Sequence, residues 1–314
     1  INNANDTTDG VADNTDCAPG DPAGADIIQL PAGGLFNVSK SMVDYSYGYT
    51  ALPPITSKIT VEGNGSTINR TGKDDMRFFT ALPSGDGNTP DLTINNITLT
   101  NGRNELDFGG AIYALQAKLT LNNCTITGSE GFAGGGVYTR KSEVMISKSN
   151  VNNNKAYYGG GIYMNDSAVT LIDSTLSGNA VGSGVGGGIF LVDSTANISN
   201  VAVTGNKAYY GGGLILNNVE LTMTNSVVSG NKTDRKYGRG GGFYFRDTTA
   251  TLNRVSITGN EAGYGGGAVV GGGSVAIKSS TLSGNSAGQI GGGIQVDGVT
   301  SLLVANSTLS GNSA

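Results

Sequence analysis

Beyond residue 118 the apolar residues fall into short alternating groups separated by Gly, Asn, Asp and Ser, and the groups themselves recur. In residues 161–180, GIYMNDSAVTLIDSTLSGNA, Ile162 opens one group, Val169 and Leu171 alternate in a second, and Leu176 lies in a third just ahead of Gly178-Asn179. Alternation with period two, broken by turn formers, predicts short strands joined by turns, and no group is long enough for a helix. The residue ahead of each post-glycine apolar position (Ala111, Gly136, Gly161, Gly188, Gly213, Gly242, Gly267, Gly293) advances by 25, 25, 27, 25, 29, 25 and 26. YYGGGIYMN at 157–165 and YYGGGLILN at 209–217 are two such repeats apart.

One repeat of this kind cannot bury its own apolar face, but stacking sets equivalent residues above one another. One column reads Leu121, Ile146, Leu171, Ile198, Met223, Leu252, Ile277, Val304, and a second reads Ile126, Val151, Leu176, Val203, Val228, Ile257, Leu282, Leu309. Both are apolar at every step, as a continuous parallel-strand core requires. Earlier in the chain Leu92, Ile94, Ile97 and Leu99 predict a further rung, Ile59, Val61 and Ile68 another, and Ile27, Ile28 and Leu30 the first. The expected fold is all-β: a right-handed parallel β-helix, or solenoid, of roughly eleven rungs, each about 25 residues and about 4.8 Å above the last, some 50 Å in all. The handedness follows from the general preference for right-handed crossovers. A single β-helix domain is expected over 1–314, with an irregular acidic lead-in at 1–25, less regular rungs at 26–118 and regular repeats at 119–314. The longer connections AVGSGV and KTDRKYGR, between Asn179 and Gly186 and between Asn231 and Gly240, are expected to avoid the strands and enlarge one loop edge.

Composition agrees. Of 314 residues 52 are Gly, and charged residues make up 14%, against roughly 7% and 25% in an ordinary soluble domain. The net charge of −5 is concentrated: residues 1–39 carry six Asp and no Lys or Arg, so that segment is −6 and the remainder +1. A near-neutral body lacks the basic face that nucleic-acid binding needs. Two cysteines are too few for a disulfide framework, and no apolar run is long enough to span a membrane. The chain starts at Ile1 rather than Met and stops at LSGNSA within a repeat, which reads as an excerpt or processed form of a longer chain.

GGAIY at Gly109–Tyr113, GGGVY at Gly134–Tyr138, GGGIY at Gly159–Tyr163 and the recurring STLSGN resemble β-helix repeats of large bacterial and archaeal surface proteins. The GGAI and LSGN pieces are similar to the GGAI and FxxN motifs of polymorphic outer-membrane proteins and related adhesins. INNAN at Ile1–Asn5, GADIIQLPAGG at Gly24–Gly34 and ITVEGNGSTINR at Ile59–Arg70 resemble the region after the CSLREA motif of CSLREA-domain proteins, though the motif itself is absent. The resemblance covers essentially the whole chain. It implies a β-helix on an extracellular or cell-surface protein and assigns no chemistry.

Candidate chemistry is sparse. GNSAG at Gly284–Gly288 and GSGVGG at Gly182–Gly187 match nucleophile-elbow and dinucleotide-binding patterns. The first needs a histidine base and the chain has no His; the second needs a strand–helix unit. The best enzymatic constellation is a turn column, Gln116, Lys141, Asp166, Asp193, Asn218, Asp247. Asp166 and Asp193 one rung apart, near Lys141, would suit a retaining carboxylate pair or a calcium-bridged uronate site. Alternatively, Asp and Asn stand there because they favour turns, with Lys141 neutralising Asp166. A second column, Asn154, Asn179, Asn206, Asn231, Asn260, Asn285 and Asn312, reads as a structural amide ladder.

Tyr113, Tyr138, Tyr163, Phe190 and Tyr244 follow the Ile column directly and, by alternation, point opposite to it. They would form either an exposed platform for sugar rings or a protein partner, or an aromatic stack that stabilises the rungs. In the lead-in, Asp6, Asp9, Asp13 and Asp16 have a spacing similar to calcium loops, and calcium is the only cofactor the sequence offers; a solvated acidic loop is the other reading. Cys124 shares a column with Ser149 and Ser174 and is expected to be a small buried filler. These readings favour a non-enzymatic extracellular or cell-surface rod for adhesion, carbohydrate binding or self-assembly, with polysaccharides or cell-surface glycans as partners. End-to-end association through an open last rung would follow if the native chain ended at Ala314. A polysaccharide lyase or glycoside hydrolase acting at Lys141, Asp166 and Asp193, and a structural filament subunit, are the alternatives.

Overall fold

The computed structural model describes residues 26–44, 48–84, 87–298 and 301–314, and every regular element in them is a β-strand. Eleven strands stack in parallel along the first face, from Asp26–Gln29 through Lys58–Arg70, Asp91–Thr100 and Lys118–Asn122 to Ser301–Ala305. Both predicted columns lie in register: Leu121 pairs with Ile146 and Ile146 with Leu171, while Ile126 pairs with Val151 and Val151 with Leu176. The earlier rungs join in the same way, Ile28 opposite Val61 and Ile59 opposite Leu92. These side chains form one core along the axis. Burying each large aliphatic contributes roughly 1.5–3 kcal/mol.

A regular rung has four strands, not the expected three. One rung runs Lys118–Asn122, Thr125–Thr127, Glu130–Ala133 and Val137–Arg140, defining four faces of the rod. The third-face strand escaped the hydrophobic pattern, and one long connection belongs to it. AVGSGV is the strand Ala180–Val185, paired with Lys155–Tyr158 through a register shift. That connection does not avoid the strands, because a bulge absorbs its extra residues.

The corners explain the turn columns. Asn123, Gly128, Gly134 and Lys141 close successive corners of one rung with φ of 54°, 66°, 64° and 52°. Glycine, Asn and Asp enter this left-handed region most readily. At Gly134 a Cβ would also lie 2.3 Å from the carbonyl oxygen of Val137, so only glycine fits. After three of the corners a small polar side chain turns inward and serves the rung before it. The Asn206 Oδ1 accepts from the backbone N–H of Asn179 (2.9 Å) and from its Nδ2 (3.0 Å). The Asn206 Nδ2 donates to the Leu176 carbonyl (3.0 Å) and to Asn231 Oδ1 (3.0 Å). The expected amide ladder is therefore present and satisfied, fully buried from Asn154 to Asn285 and half-buried at Asn312. At the neighbouring corner the Ser174 Oγ accepts from the Ser149 N–H (3.1 Å) and donates to the Ile172 carbonyl (2.7 Å). Cys124 fills this column, 1% exposed, its thiol pushed up to about 11 by burial.

Candidate functional site

The expected carboxylate column stands on corners. Lys141, Asp166 and Asp193 are exposed, with φ of 52°, 51° and 49°, so the backbone geometry accounts for Asp at two of them. Among the described residues Lys141 and Asp166 form no ion pair, and the Asn218 Nδ2 donates to Asp193 Oδ1 (2.7 Å). Asp193, Asn218, Glu220 and Asp247 line a shallow depression of about 370 Å³. No group of three or more His, Cys, Asp or Glu among the described residues is placed to hold a metal. Asp6, Asp9, Asp13 and Asp16 lie outside the described residues.

The aromatic stripe points away from the core, and a second layer covers it. Tyr113 and Tyr138 are only 8% and 6% exposed, while Tyr163, Phe190 and Tyr244 are half-buried. Their rings occupy one another's faces: Tyr113 on Tyr138 at 5.3 Å, Tyr138 on Tyr163 at 5.2 Å, both within 2° of parallel. Phe108 stacks on Tyr138 at 4.6 Å, and Tyr158 meets Tyr163 at 6.5 Å and Phe190 at 6.3 Å. An exposed platform is therefore not what Tyr113 and Tyr138 make. Phe108 and Tyr158, which precede the glycine corner, fold over them as a roof. Burial, with help from the neighbouring phenols, pushes Tyr138 up to about 12 and raises Tyr163. At the base of the stack Arg77, wholly buried, lies 4.9 Å over the Tyr113 ring and pairs with Asp107 at 2.6 Å.

The open aromatic surface is on the third face. Phe132 and Tyr157 are 40% and 43% exposed and parallel within 2° at 5.8 Å. They lie in a trough along the rod axis, formed by two depressions of about 490 and 410 Å³ that share Val181, Gly182 and Lys207. The column along the trough runs Glu130, Lys155, Ala180, Lys207, Lys232, Glu261, each opposite the next. Lys232 pairs with Glu261 at 3.1 Å, whereas neither Lys155 nor Lys207 has an ion pair among the described residues. The connection after Lys232 closes the trough. Asp234 Oδ1 accepts from the N–H groups of Lys236 (3.0 Å) and Tyr237 (2.6 Å). The connection lies over Gly263 and Gly288, where an added Cβ would strike the backbones of Lys236 and Arg235. The doubled tyrosine of YYGGG was the available signal: alternation sends Tyr157 outward and Tyr158 toward the roof.

A family model described as "Right handed beta helix region" matches residues 28–210, more than half of the chain. The chain belongs to this right-handed β-helix family. Among solved structures, it superposes on the periplasmic alginate epimerase AlgG with a TM-score of 0.50 and 11% identity, over 91% of this chain and 76% of that one. A mutant of the same enzyme matches at 13% identity over 90% and 85% of the two chains, with a TM-score of 0.30. At such identities the likeness of this right-handed β-helix to the epimerase concerns the fold alone. No curated protein sequence matches the chain. Among the described residues no helix is long and apolar enough to cross a membrane.

Proposed function

We propose that this chain is a non-enzymatic polysaccharide-binding rod working outside the cytoplasm, and that the third-face trough is its binding surface. The observation that carries the reading is the exposed parallel pair Phe132–Tyr157, set in a trough that follows the rod axis. Sugar rings have apolar C–H faces and a polar rim, and exposed aromatic side chains beside hydrogen-bonding groups complement both. A straight trough suits a linear polymer. The fold it shares with a periplasmic alginate epimerase adds support for a carbohydrate partner, and the resemblance to surface proteins supports an extracellular or cell-surface setting. Against catalysis stands the solvated placement of Lys141, Asp166 and Asp193, and the corner conformation accounts for Asp at two of them.

The test is affinity electrophoresis against neutral and acidic polysaccharides, with and without calcium, scoring retention and chain shortening together. Retention without shortening is the expected result. Shortening that disappears in Asp166→Ala would make the chain an enzyme and overturn the reading. No retention on any polymer would leave a scaffold for proteins or for further copies of itself.

A further inference from the structure

The trough contains an empty slot, framed by two copies of one motif. KAYYGGG occurs at 155–161 and again at 207–213, and the rung between them reads AVGSGV. In register, Ala180 stands between Lys155 and Lys207, and the bulged Gly182-Ser183-Gly184 follows where the flanking rungs carry Tyr157 and Tyr209. A Cβ built on Gly182 meets nothing within 4 Å. One rung thus lacks the large outward side chains of its neighbours, and its inward Val181 is 4% exposed beneath. The two flanking backbones are two rung steps apart, roughly 10 Å. One side of Tyr157 is taken by Phe132 at 5.8 Å, and the slot lies on the rung beyond. The lysines on either side are the two in this column with no ion pair among the described residues.

Building on the proposed polysaccharide reading, we propose that this slot selects a carboxylated sugar: it takes one uronate residue of a linear chain beside Tyr157, its carboxylate shared by Lys155 and Lys207. Two ammonium groups on long stems can reach a carboxylate without fixed bidentate geometry. Glu105 and Glu130 at one end and Asp234 at the other confine the cationic stretch to the middle of the trough, so the preference is for charge at this place rather than along the whole rod.

The probes are polygalacturonate and its fully methyl-esterified form, which keeps the sugar and removes the charge. Low-salt binding should favour the acid form. Lys155→Gln and Lys207→Gln should each cut that preference by up to roughly fivefold, the upper end of the range for exposed ion pairs, leaving the ester unaffected. Gly182→Tyr, which fills the slot where space is open, should weaken both forms. All three positions are exposed, so unchanged thermal melting serves as the control for folding. Equal binding of acid and ester, or a preference that survives Lys155→Gln/Lys207→Gln, would overturn the carboxylate assignment while the polysaccharide reading stands. Dextran sulfate held as tightly as polygalacturonate would reduce the slot to a general anion trap and overturn the assignment to uronate. Binding of neither form, nor of any neutral polymer, would overturn the polysaccharide reading and this inference with it.

Discussion

Tyr157 and Tyr158 are adjacent in the chain, yet one stands 43% exposed in the third-face trough and the other roofs the fourth-face aromatic stack. Both columns are ladders of rings at the rung spacing. In the fourth-face column Tyr113 and Tyr138 are packed against neighbouring rings and covered from outside, so their faces are spent on the rod itself. In the third-face column the ladder is two rings long, Phe132 and Tyr157, and then breaks at Gly182. The difference shows that ring faces on a solenoid stay open where the repeat is interrupted, as at Gly182 beside Tyr157, and are covered where rings follow rung after rung, as at Tyr138.

The comparison breaks most visibly at Tyr138. Its ring touches Tyr113, Tyr163 and Phe108, so Tyr138→Ala should cost about 3–5 kcal/mol, as for other buried aromatics truncated to Ala, read by chemical denaturation. Unchanged stability would mean that the roofed column is ornamental. Asp107→Asn should cost about 1.5–3 kcal/mol, the range for a hydrogen bond to a charged group, because it removes the charge that Asp107 sets against the buried Arg77 guanidinium beneath Tyr113. A loss well under that would separate Arg77 from the stability of the stack.

A pH series sharpens the same contrast without mutation. With its folded pKa pushed up to about 12, Tyr138 stays protonated in the native state after an ordinary phenol near 10 has ionised in the unfolded chain. Its contribution is thus complete below pH ~10 and is lost as pH rises from there toward 12. Denaturation midpoints should decline across that window, and Tyr138→Phe should remove part of the decline. An identical decline in the Phe variant would place the titrating group elsewhere.

The core columns were legible because Leu, Ile, Val and Met at every rung give a strong period-two signal, and the register follows it residue for residue. The third-face strand was not legible, because its inward anchors include Ala156, Ala208 and Ala262, too small to stand out from a loop. Alternation correctly sent Tyr113 and Tyr138 away from the core. It carried no information about Phe108 and Tyr158, which reach them across a glycine corner, and so it could not choose between the exposed platform and the buried stack that is found. The acidic corner residues drew attention as chemistry, while their shared φ near 50° is one that Asp and Asn adopt readily. The slot at Gly182 required the register, since a missing side chain is visible only against the rungs on either side.

The most direct test of the trough as the binding surface is the dissociation constant of Tyr157→Ala for a polysaccharide that the parent retains, measured beside its melting temperature. The account predicts roughly tenfold weaker binding, the scale of one lost aromatic contact, with melting almost unchanged because the ring is exposed. A Tyr157→Ala protein that binds as tightly as the parent would contradict it.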